Sequence, residues 1–200
     1  MLTIKGIFFL TLIALFFIVV LALQLFSPPA GTVNFFIRLF ALWGYACLAI
    51  AAMMTPFLKE IYKAFGRPFL KMHHIFAFSG LALITTHPIS LAILTKTATV
   101  FIPVFSSWYD FWLYAGRPAL ILLYIAIIAV LFRKKLKPWR TIHAFMYLTL
   151  LFGFVHALLI GTDLKNSAIL ILYSILFAGV IASFVIKRIQ LYKSLKKKHK

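Results

Sequence analysis

Six apolar runs of the length that crosses a bilayer dominate this sequence. A bilayer core takes about 20 apolar residues per helix. The runs cover residues 6–26, 34–58, 69–94, 112–132, 142–161 and 168–186, and a basic tail, 187–200, follows them. Hydrophobic residues make up 64% of the 200 residues and charged residues 12%, which is too little polar surface to cover a soluble domain. The sequence therefore predicts a single all-α domain, a six-transmembrane-helix bundle in the plasma or inner membrane.

The basic residues predict how the bundle is oriented. The chain has 21 Lys and Arg against 3 Asp and Glu, a net charge of +18. Four of these cations, Arg38, Lys96, Arg117 and Lys165, lie at one end of the runs, and the other 17 lie at the opposite end. Basic residues collect on the cytoplasmic side of membrane proteins. We therefore expect both termini in the cytoplasm, contacts with membrane lipid, and no nucleic-acid partner.

Five histidines lie inside only two of the runs, the third and the fifth. Ionisable residues within membrane spans are costly and mark functional sites. His73 and His87 are 14 residues apart, so they lie about 21 Å apart along a helix and within about 40° of one face. His143 and His156 are 13 residues apart, or about 20 Å. Both runs lead outward, so His73 and His143 share an inner level, and His87 and His156 share an outer one.

Two histidines per level favour haem over a bare metal ion. Zinc or copper would need three or four ligands at one level, and the runs contain no Asp or Glu. Haem iron needs only two axial ligands from the protein. The pattern predicts two b haems between the third and fifth helices, with iron bound by His73, His87, His143 and His156. His74 is the alternative to His73, but an ideal helix places it farther from the face of His87.

A histidine-based proton or metal transporter is the competing interpretation. Proton pathways through membranes usually combine histidine with Asp or Glu. Because the runs lack acidic residues, we prefer the haem interpretation.

The histidine-bearing runs resemble the ferric reductase-like transmembrane family. This family includes ferric reductases, NADPH oxidases and the haem-binding membrane subunit of the periplasmic methionine sulfoxide reductase system. The stretch Trp139-Arg140-Thr141-Ile142-His143, followed by Tyr147 and His156, is similar to the family's fifth helix. Arg67 followed by His73 and His87 is similar to its third helix. The resemblance covers the whole chain in topology, but the matching motifs are confined to these two helices.

The resemblance implies an electron-transfer function. His73 and His143 would hold the inner haem, and His87 and His156 the outer haem. Electrons would pass from a cytoplasmic flavin or NAD(P)H donor, or from quinol, to ferric iron, oxygen or a periplasmic reductase. The chain contains no GxGxxG motif, so we expect the flavin on a partner such as a cytoplasmic flavin reductase. The chain would then be an oxidoreductase component, or alternatively the sulfoxide reductase subunit. In this chain, however, the histidines of the third helix look more like those of the two-haem ferric reductases.

Several arginines and glycines could support the haems. Haem propionates are anionic and favour arginine, although interfacial arginines also bind lipid phosphates. The candidate arginines are Arg38 and Arg117 on the outer side and Arg67 and Arg140 on the inner side. Gly80 and Gly153 lie midway between the histidines of their helices. Each could admit a flat macrocycle or could serve helix packing.

Overall fold

The computed structural model describes residues 3–26 and 31–198, and every regular element in these ranges is a helix. Residues 1–2, 27–30 and 199–200 lie outside the described ranges, so the end of the predicted basic tail is among them. Nine α-helices are described: α1 (Ile4–Leu25), α2 (Thr32–Met53), α3 (Leu58–Phe65), α4 (Phe69–Thr95), α5 (Trp108–Leu113), α6 (Gly116–Leu131), α7 (Trp139–His143), α8 (Met146–Ile160) and α9 (Ser167–Lys198). Two 3₁₀ turns, Thr99–Phe101 and Asp163–Lys165, lie in the loops.

Five stretches of the described chain are long and apolar enough to cross a membrane. They are Ile4–Leu25, Thr32–Met53, Phe69–Thr95, Trp139–Ile160 and Ser167–Lys197. The fourth predicted run is divided between α5 and α6, and α6 is apolar but only 16 residues long. The all-helical fold of a multi-pass membrane protein is thus confirmed, whereas the six-span topology stays a prediction.

Two helix ends differ from the predicted boundaries for local chemical reasons. The second predicted run extends to residue 58, but α2 ends at Met53 because Pro56 has no N–H with which to continue the helix. The separate helix α3 follows, and its buried residues Ile61 and Phe65 pack against Met72 of α4. At the other end of the chain, α9 continues beyond residue 186 into the basic tail. Lysine and arginine are good helix formers, so their charge does not end the helix.

Helix α2 forms the centre of the bundle. It is buried along most of its second half and contacts α1, α4, α8 and α9. Its closest neighbour is α4, because two glycines remove the side chains that would separate them. A Cβ at Gly44 would lie 2.8 Å from the backbone nitrogen of Ile84, and one at Gly80 would lie 2.9 Å from that of Leu48. Of the two roles expected for Gly80, the structure shows helix packing.

We expect alanine at Gly44 or Gly80 to loosen the bundle. The added methyl group would press on the backbone of the neighbouring helix, and overpacking of this kind costs about 1–3 kcal/mol. Gly153 supplies the matched control, since a Cβ there would lie 3.5 Å from the Tyr45 ring, which is ordinary contact. Thermal unfolding in detergent should show a lower Tm for G44A and G80A than for G153A. Equal Tm values for G80A and G153A would contradict the assigned packing.

Candidate functional site

The four histidines predicted as ligands share one environment. Each is half-buried, and each has its Nδ1 within hydrogen-bond distance of a backbone carbonyl on a neighbouring helix. The pairs and distances are His73 with Ala51 (3.1 Å), His87 with Ile37 (2.9 Å), His143 with Ala126 (3.3 Å) and His156 with Leu113 (2.7 Å). The two histidines of α4 are thus held by α2, and those of α7 and α8 by α6 and α5.

These hydrogen bonds determine which ring nitrogen is free. A carbonyl oxygen only accepts, so Nδ1 must carry the proton and donate it. In a neutral imidazole Nε2 then keeps its lone pair. Metal-bound histidines typically donate their other ring N–H to a carbonyl or carboxylate, which orients the ring. All four side chains therefore have the arrangement of a metal ligand that coordinates through Nε2.

The structure brings His73 and His143 together at the inner level. Their ring centroids are 6.4 Å apart and their planes meet at 77°. Two imidazoles on opposite sides of one metal atom have centroids roughly 6 Å apart, given a metal–nitrogen bond of about 2.0 Å and a ring radius of about 1.1 Å. The separation therefore fits one axially ligated metal atom between the rings.

His87 and His156 are the predicted outer pair. The two side chains lie within electrostatic range of each other, and Arg117 lies within electrostatic range of His156. The His156 ring rests directly on Gly116, where a Cβ would lie 2.9 Å from Nε2. Any side chain at residue 116 would displace the ring. The sequence did not identify this glycine as a site residue.

Two prolines explain why carbonyls are available to His73 and His156. Pro118 has no N–H, so the N–H of Arg117 donates to the Tyr114 carbonyl at 3.0 Å. That leaves the Leu113 carbonyl for His156.

Pro56 acts in the same way at the end of α2. The N–H of Thr55 donates to the Ala52 carbonyl at 3.2 Å, which leaves the Ala51 carbonyl for His73. Both prolines were visible in the sequence, but their effect on the histidines depends on which helices are neighbours.

A local irregularity accounts for the 13-residue spacing on the second histidine-bearing helix. The helix is interrupted at Ala144 and Phe145. Here Phe145 donates to Ile142 at 3.0 Å and Tyr147 donates to Ala144 at 3.1 Å, which are bonds between residues three apart. Such turns rotate further and rise further per residue than an α-helix. The irregularity therefore brings His143 and His156 closer to a common face and lengthens their separation towards that of His73 and His87.

His74 lies apart from the paired histidines. Its side chain is exposed, and its ring lies 5.6 Å from that of Phe78 and 6.0 Å from that of His73. Within the described residues it has no hydrogen-bond partner. The structure thus gives His73, but not His74, a carbonyl partner and a facing histidine.

Arg38 has a partner inside the chain. It forms a salt bridge with Asp163, and its Nε donates to Oδ2 at 2.9 Å. Asp163 is buried, at 5% exposure. The two residues are 125 positions apart, so the sequence offered no signal for the pair. Because Arg38 follows Ile37, the salt bridge also fixes the part of α2 whose carbonyl binds His87.

The other arginines occupy the two ends of the bundle. Arg67 and Arg140 are exposed, and the Arg140 guanidinium lies 5.0 Å from the Trp139 ring centroid. Arg117 donates to the Ile102 carbonyl at 2.8 Å and lies over the ring of Tyr114. Arg117 also lies within electrostatic range of His156. The propionate roles of Arg38, Arg67 and Arg140 stay predictions.

The helices that carry the histidines are held apart. Among the described residues, α4 packs on α2 and α8 packs on α5 and α6, without extended contact between α4 and α8. The same residues contain no group of three or more His, Cys, Asp or Glu side chains able to hold a metal ion. The arrangement consists of one facing histidine pair, His73 and His143, with His87 and His156 farther along the same two histidine-bearing segments.

Comparisons with known proteins add no relative. No family model, no curated protein and no solved structure matches this chain.

We expect Arg38→Ala to destabilise the fold strongly. It would leave the buried Asp163 carboxylate without its partner, and removing one member of a buried pair costs about 3–5 kcal/mol. Chemical unfolding in detergent should show this loss, whereas Lys165→Ala, an exposed change in the same turn, should have little effect. The double variant Arg38→Met/Asp163→Leu should recover most of the loss. A double variant no more stable than Arg38→Ala would argue against the pair as the cause.

We expect Pro118→Ala to change the hydrogen bonding of His156. The new N–H at residue 118 can take the Tyr114 carbonyl, and the Arg117 N–H can then return to Leu113 and compete with His156 Nδ1. Nitrogen-15 NMR of the histidine rings should show the Nδ1–H form weakened for His156 and unchanged for His143. Pro103→Ala, in a loop, should leave both unchanged. A His156 signal identical in P118A and the parent would refute this role of Pro118.

Proposed function

We propose that this chain is a transmembrane electron-transfer protein that binds two b haems between α4 and α8. His73 and His143 would ligate the inner haem, and His87 and His156 the outer haem. The observation that carries the proposal is the shared orientation of the four histidines. Each is fixed through Nδ1 by a backbone carbonyl and keeps Nε2 for a ligand, and the inner two, His73 and His143, face each other. The proposal extends to membership of the ferric reductase-like transmembrane family, on the motif resemblance.

The lack of extended contact between α4 and α8 supports haem rather than a bare ion. A porphyrin is a broad, flat macrocycle, so the helices that supply its axial ligands cannot pack directly on each other. The described parts of α4 and α8 meet this condition because α4 packs mainly on α2 and α8 mainly on α6, without extended contact between α4 and α8. Two facing histidines also complete the six-coordinate iron of a haem but leave a zinc or copper site short of ligands.

Haem iron supplies one-electron redox chemistry when bound. The residues of the chain hold it in place and set its environment. The two histidine levels are about 20 Å apart along the helices. Two haems at these levels would divide electron transfer across the membrane into shorter steps. Apolar helices keep bulk water away from both levels.

The direction of transfer follows from the proposed topology. With both termini in the cytoplasm, the inner level is served by a cytoplasmic flavin or NAD(P)H donor or by quinol. The outer level then delivers electrons to an extracytoplasmic acceptor such as ferric iron, oxygen or a periplasmic reductase. The basic inner face, which includes exposed Lys59 and Lys63 of α3, also suits contact with anionic lipid.

Haem content of the purified protein is the test. After expression with ample haem, we expect about two b haems per chain by the pyridine haemochromogen assay, with low-spin bands in the reduced-minus-oxidised spectrum. His87→Ala should lower the content to about one and stop transfer to the outer acceptor, and His143→Ala should remove the inner haem. His74→Ala is the matched control and should keep both.

Three results would reject different parts of the proposal. Full haem content and activity in His87→Ala would show that His87 is not a ligand. A protein without haem, despite ample supply, would reject the electron-transfer function itself. One haem in the parent protein would reject the two-haem assignment and favour the type of site found in the sulfoxide reductase subunit.

A further inference from the structure

Three buried hydroxyl groups in the bundle centre lack a protein partner. They belong to Tyr45, Thr149 and Tyr173, whose exposures are 8%, 6% and 2%. Within the described part of the chain, none of the three hydroxyl oxygens has a hydrogen-bond partner. Buried polar groups in native proteins are almost always satisfied by protein or by ordered water. The three hydroxyl groups therefore need an explanation, as do Gln24 Oε1 and Trp43 Nε1, which are also buried without a partner in the described part of the chain.

The three residues lie on α2, α8 and α9, which contact one another pairwise. The rings of Tyr45 and Tyr173 have centroids 5.9 Å apart. Tyr173 interacts electrostatically with Tyr45 and with Asp163. Gly153 faces the Tyr45 ring, and Thr149 lies one helical turn before Gly153 on the same side of α8.

The cluster extends from the outer end of the bundle to its middle. Tyr45 lies on α2 between Ile37 and Ala51, whose carbonyls bind the outer and inner histidines of α4. Thr149 lies about midway between His143 and His156 along the chain. Asp163 lies in the 3₁₀ turn before α9, on the predicted outer side.

Water is the ligand that fits these groups. A buried water molecule needs two to four polar partners, and hydroxyl groups can donate or accept as required. Two tyrosine hydroxyls and one threonine hydroxyl meet that number. The Asp163 carboxylate is bonded to Arg38 but has further lone pairs, so it can accept from water as well.

We propose that Tyr45, Thr149 and Tyr173 enclose a binding site for ordered water, linked to the outer face through Asp163. This site is separate from the histidine pairs and does not depend on haem. Its hydroxyl groups can rotate, so the hydrated site can respond to charge at either histidine level. It places mobile dipoles at mid-depth in a bundle whose spans carry no carboxylate.

Radiolytic hydroxyl-radical labelling tests the site in the full chain in lipid nanodiscs. X-ray exposure makes radicals from water itself, so it marks side chains that contact bound water even when they are buried. We expect Tyr45 and Tyr173 to be labelled several-fold faster than Phe65, a buried aromatic residue at 9% exposure without a hydroxyl. Exposed Tyr192 gives the rate for bulk solvent. Labelling of both tyrosines no faster than that of Phe65 would overturn the proposal.

Conservative variants then locate the water. Tyr45→Phe removes one partner and keeps the ring, so labelling of Tyr173 should fall several-fold while Tyr192 is unchanged. Tyr124→Phe is the matched control, because the Tyr124 hydroxyl pairs with Thr85 at 2.8 Å outside the cluster. It should leave the labelling of Tyr173 unchanged. Unchanged Tyr173 labelling in Y45F, or an equal fall in Y124F, would overturn the assignment of the water to this cluster.

Discussion

The hydrogen bond from histidine Nδ1 to a backbone carbonyl is the interaction on which the site depends. It occurs four times, and each bond joins a histidine-bearing helix to a neighbour. The bond settles the tautomer and the direction of the ring together. Because carbonyls belong to the backbone, the positions of α2, α5 and α6 fix the histidines. A change in how the helices pack would therefore also change the geometry of the site.

Helix α2 makes the largest contribution to positioning the histidines. Its glycine at residue 44 brings α4 close, its carbonyls hold both paired histidines of α4, and its arginine at residue 38 ties it to the last loop through Asp163. Polar contacts within a membrane are limited in number, so each contributes strongly to the relative position of the helices that it joins. The salt bridge lies one residue from the carbonyl that binds His87. A change in the loop before α9 can thus reach the outer histidine without touching it.

The periodic features were predictable from the sequence, whereas the features that depend on contacts between helices were not. Run length predicted the membrane helices, and helical period separated His73 from His74, which the structure places in different surroundings. Three features were not predictable: the helix break at Ala144, the contact of the His156 ring with Gly116, and the salt bridge of Arg38. Each depends on which helices are neighbours, and residues 125 positions apart give no local signal. The spacing of the histidines along the chain predicts the two levels, whereas the carbonyls that hold the histidines depend on how the helices pack.

The two prolines contribute a missing hydrogen rather than a side-chain contact. By lacking an N–H, Pro56 and Pro118 make one carbonyl available on each side of the site, at the inner and the outer level. This property is covalent, so it does not change with the oxidation state of a bound metal. In the proposed function, histidines anchored in this way would keep the same position before and after an electron arrives. For the proposed function the consequence is a low reorganisation energy, since the ligands have little to rearrange during each transfer.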